Sequence, residues 1–192
     1  MRTATVERQT KETTVTVTIN IDGSKKISIN TGIGLFDHML TLFAFHGGLD
    51  LEVSCTGDLH VDCHHTVEDV GLALGQAFRQ ALGANPVIKR YGRSYIPMDE
   101  SLSRAVVDVS DRPYLVFRSS FTQYKVGELE TETVKEFFKA FVQESRITLH
   151  IETLYGENNH HIVESVFKSF AKALCEACRM VKGEIPSTKG VL

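Results

Sequence analysis

Two stretches of the chain place a histidine pair one helical turn ahead of a glutamate: His64-His65…Glu68 and His160-His161…Glu164. Residues i and i+4 of an α-helix lie about 40° apart around the axis, whereas i and i+1 differ by about 100°. His64 and Glu68 can therefore share one cation, as can His160 and Glu164, while His65 and His161 point elsewhere and must serve a different centre. In a duplicated chain the economical arrangement is reciprocal. His65 completes the site of the second motif, His161 completes that of the first, and two ions are bound. Imidazole with carboxylate and no thiolate suits manganese, iron, nickel or zinc, and the oxygen component leans toward an octahedral ion such as manganese. One vicinal pair alone reads more simply as hydrogen-bonded helix residues. Two copies, each with its carboxylate in place, read as metal sites.

Other histidines are weighed singly. His38 follows Asp37 at the start of an apolar-periodic helix, and its repeat counterpart is Glu136; both are competent ligands. His46 lies beside a Gly-Gly turn and His150 on a strand, so each is a weaker site candidate, and His60 reads as an exposed turn residue. Cys175 and Cys178 form a C-x-x-C inside a helical pattern with no second pair, so core packing of reduced thiols is the expectation.

The elements that carry these residues also repeat. His64 to Val70 matches His160 to Val166 at five of seven positions, 96 residues apart, which is half of the 192-residue chain. Helices opening at Phe36-Asp37-His38-Met39-Leu40 and around Val134-Lys135-Glu136-Phe137-Phe138 each lead into an alternating strand, 49–56 and 147–154. Thr13 to Asp22 is a β-branched strand ending in Asp22-Gly23, a hairpin signal, with Lys26 to Asn30 as its return. Leu102 to Ser110, Asp111-Arg112-Pro113 and Tyr114 to Arg118 repeat that pattern. Each half reads β-β-α-β-α, an α+β fold of antiparallel or mixed sheets with helices packed on one face. The segment Gly83 to Tyr95, with Pro86, is the natural joint, so residues 1–92 and 93–192 form two half-repeats of one compact domain.

Composition narrows the class. Twenty-one basic against 24 acidic residues leave a net charge of −3 with no basic stripe, which argues against nucleic acid. Apolar runs fall short of the roughly 18 residues a membrane span needs, and Met1-Arg2-Thr3-Ala4 opens no signal peptide. A cytoplasmic protein is expected, or a plastid one after removal of a transit peptide in a plant.

Taken together, Phe36-Asp37-His38-Met39-Leu40, Gly57-Asp58, Asp62 to Asp69, Gly156-Glu157-Asn158-Asn159-His160-His161 and Pro186-Ser187-Thr188-Lys189-Gly190 closely resemble the imidazoleglycerol-phosphate dehydratase family, from Arg8 to Leu192. The resemblance implies a duplicated fold of the ribosomal protein S5 domain 2 kind, and dehydration of imidazole glycerol phosphate to imidazole acetol phosphate in histidine biosynthesis. It implies two manganese ions per site and a 24-subunit shell with sites between subunits. By motif position one ion takes His38, His65, His160 and Glu164, and the other His64, Glu68, Glu136 and His161. Many family members carry histidine at the Glu136 position, so this chain would supply an extra negative ligand there. The resemblance also assigns Glu12 as substrate-contacting base and Arg90, Arg112, Ser187 and Lys189 to the phosphate; His46 is a further candidate for binding the substrate, and Asp99 and Glu100 are secondary candidates for the base or partners of ligating histidines.

The implied chemistry is demanding, because the hydrogen removed from the glycerol chain has no neighbouring carbonyl to acidify it. A metal-bound imidazolate would expel the hydroxyl, and a general base would take the proton. Two other readings fit the same residues: a di-metal hydrolase of a phosphorylated small molecule, and a metal-binding module without catalysis.

Overall fold

The computed structural model describes residues 1–190. Its strands and helices run β1 Thr3–Gln9, β2 Thr13–Asn20, β3 Ile27–Asn30, α1 Gly34–Gly47, β4 Asp50–Gly57 and α2 His64–Leu82 in the first half. The second half has β5 Tyr91–Met98, β6 Ser101–Asp108, β7 Tyr114–Arg118, the short hairpin β8 Lys125–Val126 and β9 Leu129–Glu130, α3 Thr131–Ser145, β10 Thr148–Tyr155 and α4 Asn159–Ala177. Two four-stranded mixed sheets result, ordered β1-β2-β4-β3 and β5-β6-β10-β7, so the two halves share one topology.

The period-two pattern does what a pleated strand requires. Val15, Val17 and Ile19 of β2 turn inward, while Thr14, Thr16 and Thr18 face out. The expected hairpin at Asp22-Gly23 does not form. Strand β3 runs parallel to β4 on its far side, and the antiparallel partners of β2 are β1 and β4. The physical reason lies at the end of β4, where the Asp50 carboxylate accepts the backbone N–H groups of Ser24 at 2.6 Å and Lys26 at 2.8 Å. A Cβ at Gly23 would overlap the backbone nitrogen of Asp50, so only glycine lets the chain cross that strand end so closely. The second half is corrected in the same way: β7 pairs parallel with β10 and not with β6. There Arg146 holds Asp111 by its carboxylate at 2.6 Å and its carbonyl at 2.8 Å.

Apart from the short β8–β9 hairpin of the second, each half is therefore β-β-β-α-β-α, one strand more than the sequence pattern suggests. Strand β1 offers little alternation, with Ala4 and Val6 as its only apolar residues. Strand β5 contains Gly92 and Pro97, which read as loop residues yet are tolerated on an edge strand. The joint accordingly ends at Arg90, and a division between residues 92 and 93 falls inside β5.

The helices form the layer between the sheets. Helix α2 packs against α3 and α1 against α4, so each helix pair draws one member from each half. Close approach of α2 and α3 depends on Gly71 and Gly75; a Cβ at Gly75 would stand 2.5 Å from the carbonyl oxygen of Phe141. Phenylalanines fill this layer, with Phe43 stacked on Phe170 at 5.2 Å between ring centres and Phe137 on Phe167 at 5.3 Å. One apolar cluster runs through both halves. Among the described residues no helix is long and apolar enough to cross a membrane.

Candidate functional site

Both histidine pairs open a helix. The Asp62 carboxylate accepts the N–H of His64 at 2.8 Å, and the Asn158 side chain accepts those of His160 at 2.9 Å and His161 at 3.3 Å. Such side-chain oxygens satisfy donors that the first helical turn leaves unpaired. Within each pair the rings stand nearly perpendicular, at 83° for His64 and His65 and 88° for His160 and His161. The vicinal rings thus diverge as the helical angle demands.

Three predicted ligands from opposite halves converge. His160 Nε2 lies 3.3 Å and His38 Nε2 3.8 Å from the same Glu164 oxygen. Ligand atoms of these three residues all fall within 4.8 Å of one another, and they are the group found among the described residues with metal-holding spacing. His38 is placed by Asp37, whose carboxylate accepts the N–H of Thr31 at 2.9 Å and its hydroxyl at 2.6 Å, folding the preceding loop against α1. Glu164 is nearly buried, which opposes its ionisation, but the ammonium of Lys168 bonds its other oxygen and holds the carboxyl below its usual range. The other set, which also draws on both halves, is looser. His64 Nε2 stands 4.0 Å from Glu68, and Glu136 bonds Lys139 at 3.0 Å. That ammonium is held above its ordinary range by its hydrogen bond to Glu136 first and also by the charge of Glu68.

His65 and His161 join neither set within this chain. His65 Nδ1 sits 3.0 Å from Asp58, and its Nε2 is 3.8 Å from Glu12 at the tip of the β1–β2 hairpin. His161 Nδ1 sits 2.7 Å from Glu100 and its Nε2 3.8 Å from Asp99, both in the β5–β6 turn. Each imidazole is pushed up from its usual pKa by its carboxylate hydrogen bond, Asp58 for His65 and Glu100 for His161. Glu100 in turn falls well below the carboxylate range because it accepts from His161 and from the N–H of Asn158 at 2.8 Å. A carboxylate on one ring nitrogen fixes the tautomer and leaves the other nitrogen as a lone-pair donor.

A fourth group is cationic. Arg90, Arg112, Ser187 and Lys189 border one open cavity of about 560 Å³ together with Tyr91, Pro186 and Thr188. Asp108 bonds Arg90 at 2.8 Å and Arg112 at 3.3 Å, and Arg90 also donates to the carbonyl of Pro186 at 2.7 Å, tying the tail to the joint. His46 lies apart from this cavity, in the last turn of α1. Burial first, then the charges of Lys168 and Lys172, lower its pKa. His150 faces outward on β10, and His60 is exposed in the loop before α2. The last two residues of the tail implied by the resemblance, Val191 and Leu192, lie outside the described residues.

Comparison with known proteins gives these groups a common setting. Residues 31–174 match the family model for imidazoleglycerol-phosphate dehydratase. The chain belongs to that family. The imidazoleglycerol-phosphate dehydratase of Clostridioides difficile (strain 630) is 58% identical over 192 residues, covering 100% of both chains. That of Magnetococcus marinus is 55% identical over 194 residues, covering 100% of this chain and 98% of the other. The Staphylococcus aureus dehydratase structure matches with a TM-score of 0.85 at 42% identity, over 93% of this chain and 99% of that one. The Pyrococcus furiosus enzyme, in complex with (S)-C348, also gives 0.85, at 39% identity over 97% and 100%.

The roles of several polar partners of this dehydratase-family site escape a reading by motif, although Asp58 and Asp69 stand inside the motif stretches. Asp58 and Lys168 hold His65 and Glu164, which the spacing identifies, and Asp108 holds Arg90 and Arg112, which the resemblance gives to the phosphate, whereas Asp69 holds Arg8 and Thr13, which no motif singles out. Lys168 alone had a local cue, standing four residues after Glu164 on one helix face.

Proposed function

We propose that this chain dehydrates imidazole glycerol phosphate to imidazole acetol phosphate in histidine biosynthesis, with two manganese ions per site. The observation that carries the metal part is the meeting of His38, His160 and Glu164, drawn from two halves of the chain and free of thiolate. Two neutral imidazoles and one carboxylate suit a hard-to-borderline divalent ion such as manganese. His65 and His161, oriented by Asp58 and Glu100 and turned away from their own motif's carboxylate, fit ligands given to sets completed by another subunit. When bound, the ions would hold the substrate's imidazole as an imidazolate, the electron source that expels the neighbouring hydroxyl.

The protein's own residues account for the rest. Arg90, Arg112, Ser187 and Lys189 would bind the phosphate, with Asp108 orienting both guanidinium groups toward it before substrate arrives. Glu12 would take the proton from the carbon next to the phosphate-bearing methylene, leaving an enol that tautomerises to the ketone. Its position at the mouth of the His65 site, on a turn rather than in the core, suits contact with a bound substrate.

Association with further copies, which a shell of 24 subunits requires, has support in an asymmetry of the two sheets. Thr5, Thr16, Thr18, Ser28, Ser54, Glu7 and Glu52 face outward on the first sheet. The second presents Tyr95, Val106, Tyr114, Val116 and His150 with Arg93, Arg104 and Arg118, against the carboxylate of Glu152, which pairs with Arg104. An apolar and basic face of this kind complements the acidic, polar face of a second copy. Free thiols at Cys55, Cys63, Cys175 and Cys178 accord with a reducing compartment, the cytoplasm or a plastid.

Dialysis against a strong chelator should abolish turnover and Mn²⁺ should restore it, with phosphorus NMR of the product showing a retained phosphate ester. Full turnover in metal-free protein would overturn the metal reading, and release of inorganic phosphate would favour the hydrolase.

A further inference from the structure

Asp69 is a buried carboxylate, 6% exposed, and its two oxygens grip the two stems of one hairpin. Oδ1 accepts from Arg8 Nε at 3.0 Å near the end of β1, and Oδ2 accepts from the buried hydroxyl of Thr13 at the start of β2. Between those stems, Thr10 Oγ1 accepts the N–H groups of Glu12 at 3.1 Å and Thr13 at 3.0 Å, so the turn is closed on itself. Asp69 stands four residues after His65 on α2, on the same helix face. The residue that clamps the hairpin is therefore one turn below the imidazole that faces the Glu12 carboxylate at 3.8 Å.

The fold does not demand a charge there. At the equivalent place in the second half, 96 residues on, stands Ser165, which packs α4 against β6 through a neutral hydrogen bond to Ser103 Oγ at 2.6 Å. Burying an ionised carboxylate costs desolvation that a neutral or apolar junction avoids, so its presence in one half alone calls for a use peculiar to that half. The hairpin bearing Glu12 supplies one.

We propose that Asp69 is a positioning residue for the dehydration: by fixing Arg8 and Thr13 it holds the Thr10–Thr13 turn so that Glu12 meets the substrate carbon. The proposal rests on reading Glu12 as the base. A displacement of about 1 Å at a reacting group can cost on the order of 10²-fold in rate, so loosening this clamp is felt in kcat rather than in KM.

The test is a double-mutant cycle on the manganese-loaded protein. Asp69→Asn and, separately, Thr13→Val should each lower kcat about tenfold or more with KM and metal content unchanged. Both should also speed amide exchange at Glu12 and Thr13. Thr13→Ser, which keeps the hydroxyl, should restore kcat, and Ser165→Ala should not reproduce the loss. In a Glu12→Gln background, Asp69→Asn should have no further effect on kcat. An equal loss in both backgrounds would overturn the proposal while leaving Glu12 as base; an unchanged kcat in Glu12→Gln alone would instead remove the base reading. Should Asp69→Asn not fold, the Thr13 pair decides, and full kcat in Thr13→Val overturns the clamp.

Discussion

Glu12 and Asp69 illustrate how unequally single residues announce themselves. Glu12 is an exposed carboxylate on a turn, and its chemistry depends on what it faces, here His65 at 3.8 Å. Replacement by glutamine keeps its size and removes its basicity. Glu12→Gln should therefore leave bound manganese intact by elemental analysis while lowering turnover by about 10² or more. Unaltered turnover would eliminate it as base. The histidine pairs were legible because helix geometry constrains them locally. The roles of Asp58, Asp69 and Asp108 were not, since they come from partners brought by the fold. Arg8 and Thr13 lie 61 and 56 residues from Asp69 in sequence.

Among elements, alternation located β2, β4, β6 and β10 to within a residue or two, and apolar periodicity located the helices. Strand partners were another matter, because Asp-Gly is a local signal and Asp50 is a distant competitor for the same backbone. That competition has a pH signature. Hydrogen bonds from the N–H of Lys26, and also from Ser24 and Asn20, hold Asp50 below its ordinary value of 3.8 despite the opposing effect of burial. A depressed folded-state pKa contributes stability that is present above the unfolded value and lost as pH falls through the folded one. Urea midpoints should thus decline below about pH 4 in the parent, and Asp50→Asn should be less stable at pH 7 with a shallower acid decline. Parallel curves for the two proteins would show that Asp50 contributes no such linkage. Helix packing has its own test. Gly75→Ala forces a methyl against the Phe141 carbonyl, which should lower stability by roughly 1–3 kcal/mol in denaturant unfolding. A neutral result would mean that the α2–α3 seam yields.

At the scale of the molecule, the two halves are neither independent nor equivalent. Their helices interleave, and the phenylalanine layer belongs to both. Their outer faces differ, one built of threonine, serine and glutamate and the other of tyrosine, valine and arginine. Val106, 41% exposed in the middle strands of the second sheet, is where a charge would oppose docking of another copy. Val106→Glu should keep the circular dichroism of the parent but sediment as a smaller particle, with lower activity wherever sites are shared between subunits. A particle of undiminished mass would move the interface elsewhere.

The sequence by itself determined the duplication, the α+β class, the two helix-opening histidine pairs and the family, because each is written in local periodicity or in a contiguous motif. Divergence of the rings within His64-His65 and His160-His161 followed from the helical repeat alone, and the structure has them nearly perpendicular. Only tertiary structure decided that His38 of the first half meets His160 and Glu164 of the second, and that β3 and β7 lie parallel to β4 and β10. It also decided that the hairpin carrying Glu12 is clamped to α2 by Asp69. These are contacts between residues far apart in sequence, chosen by which buried hydrogen bonds and close packings can be satisfied together, and no local pattern encodes that choice.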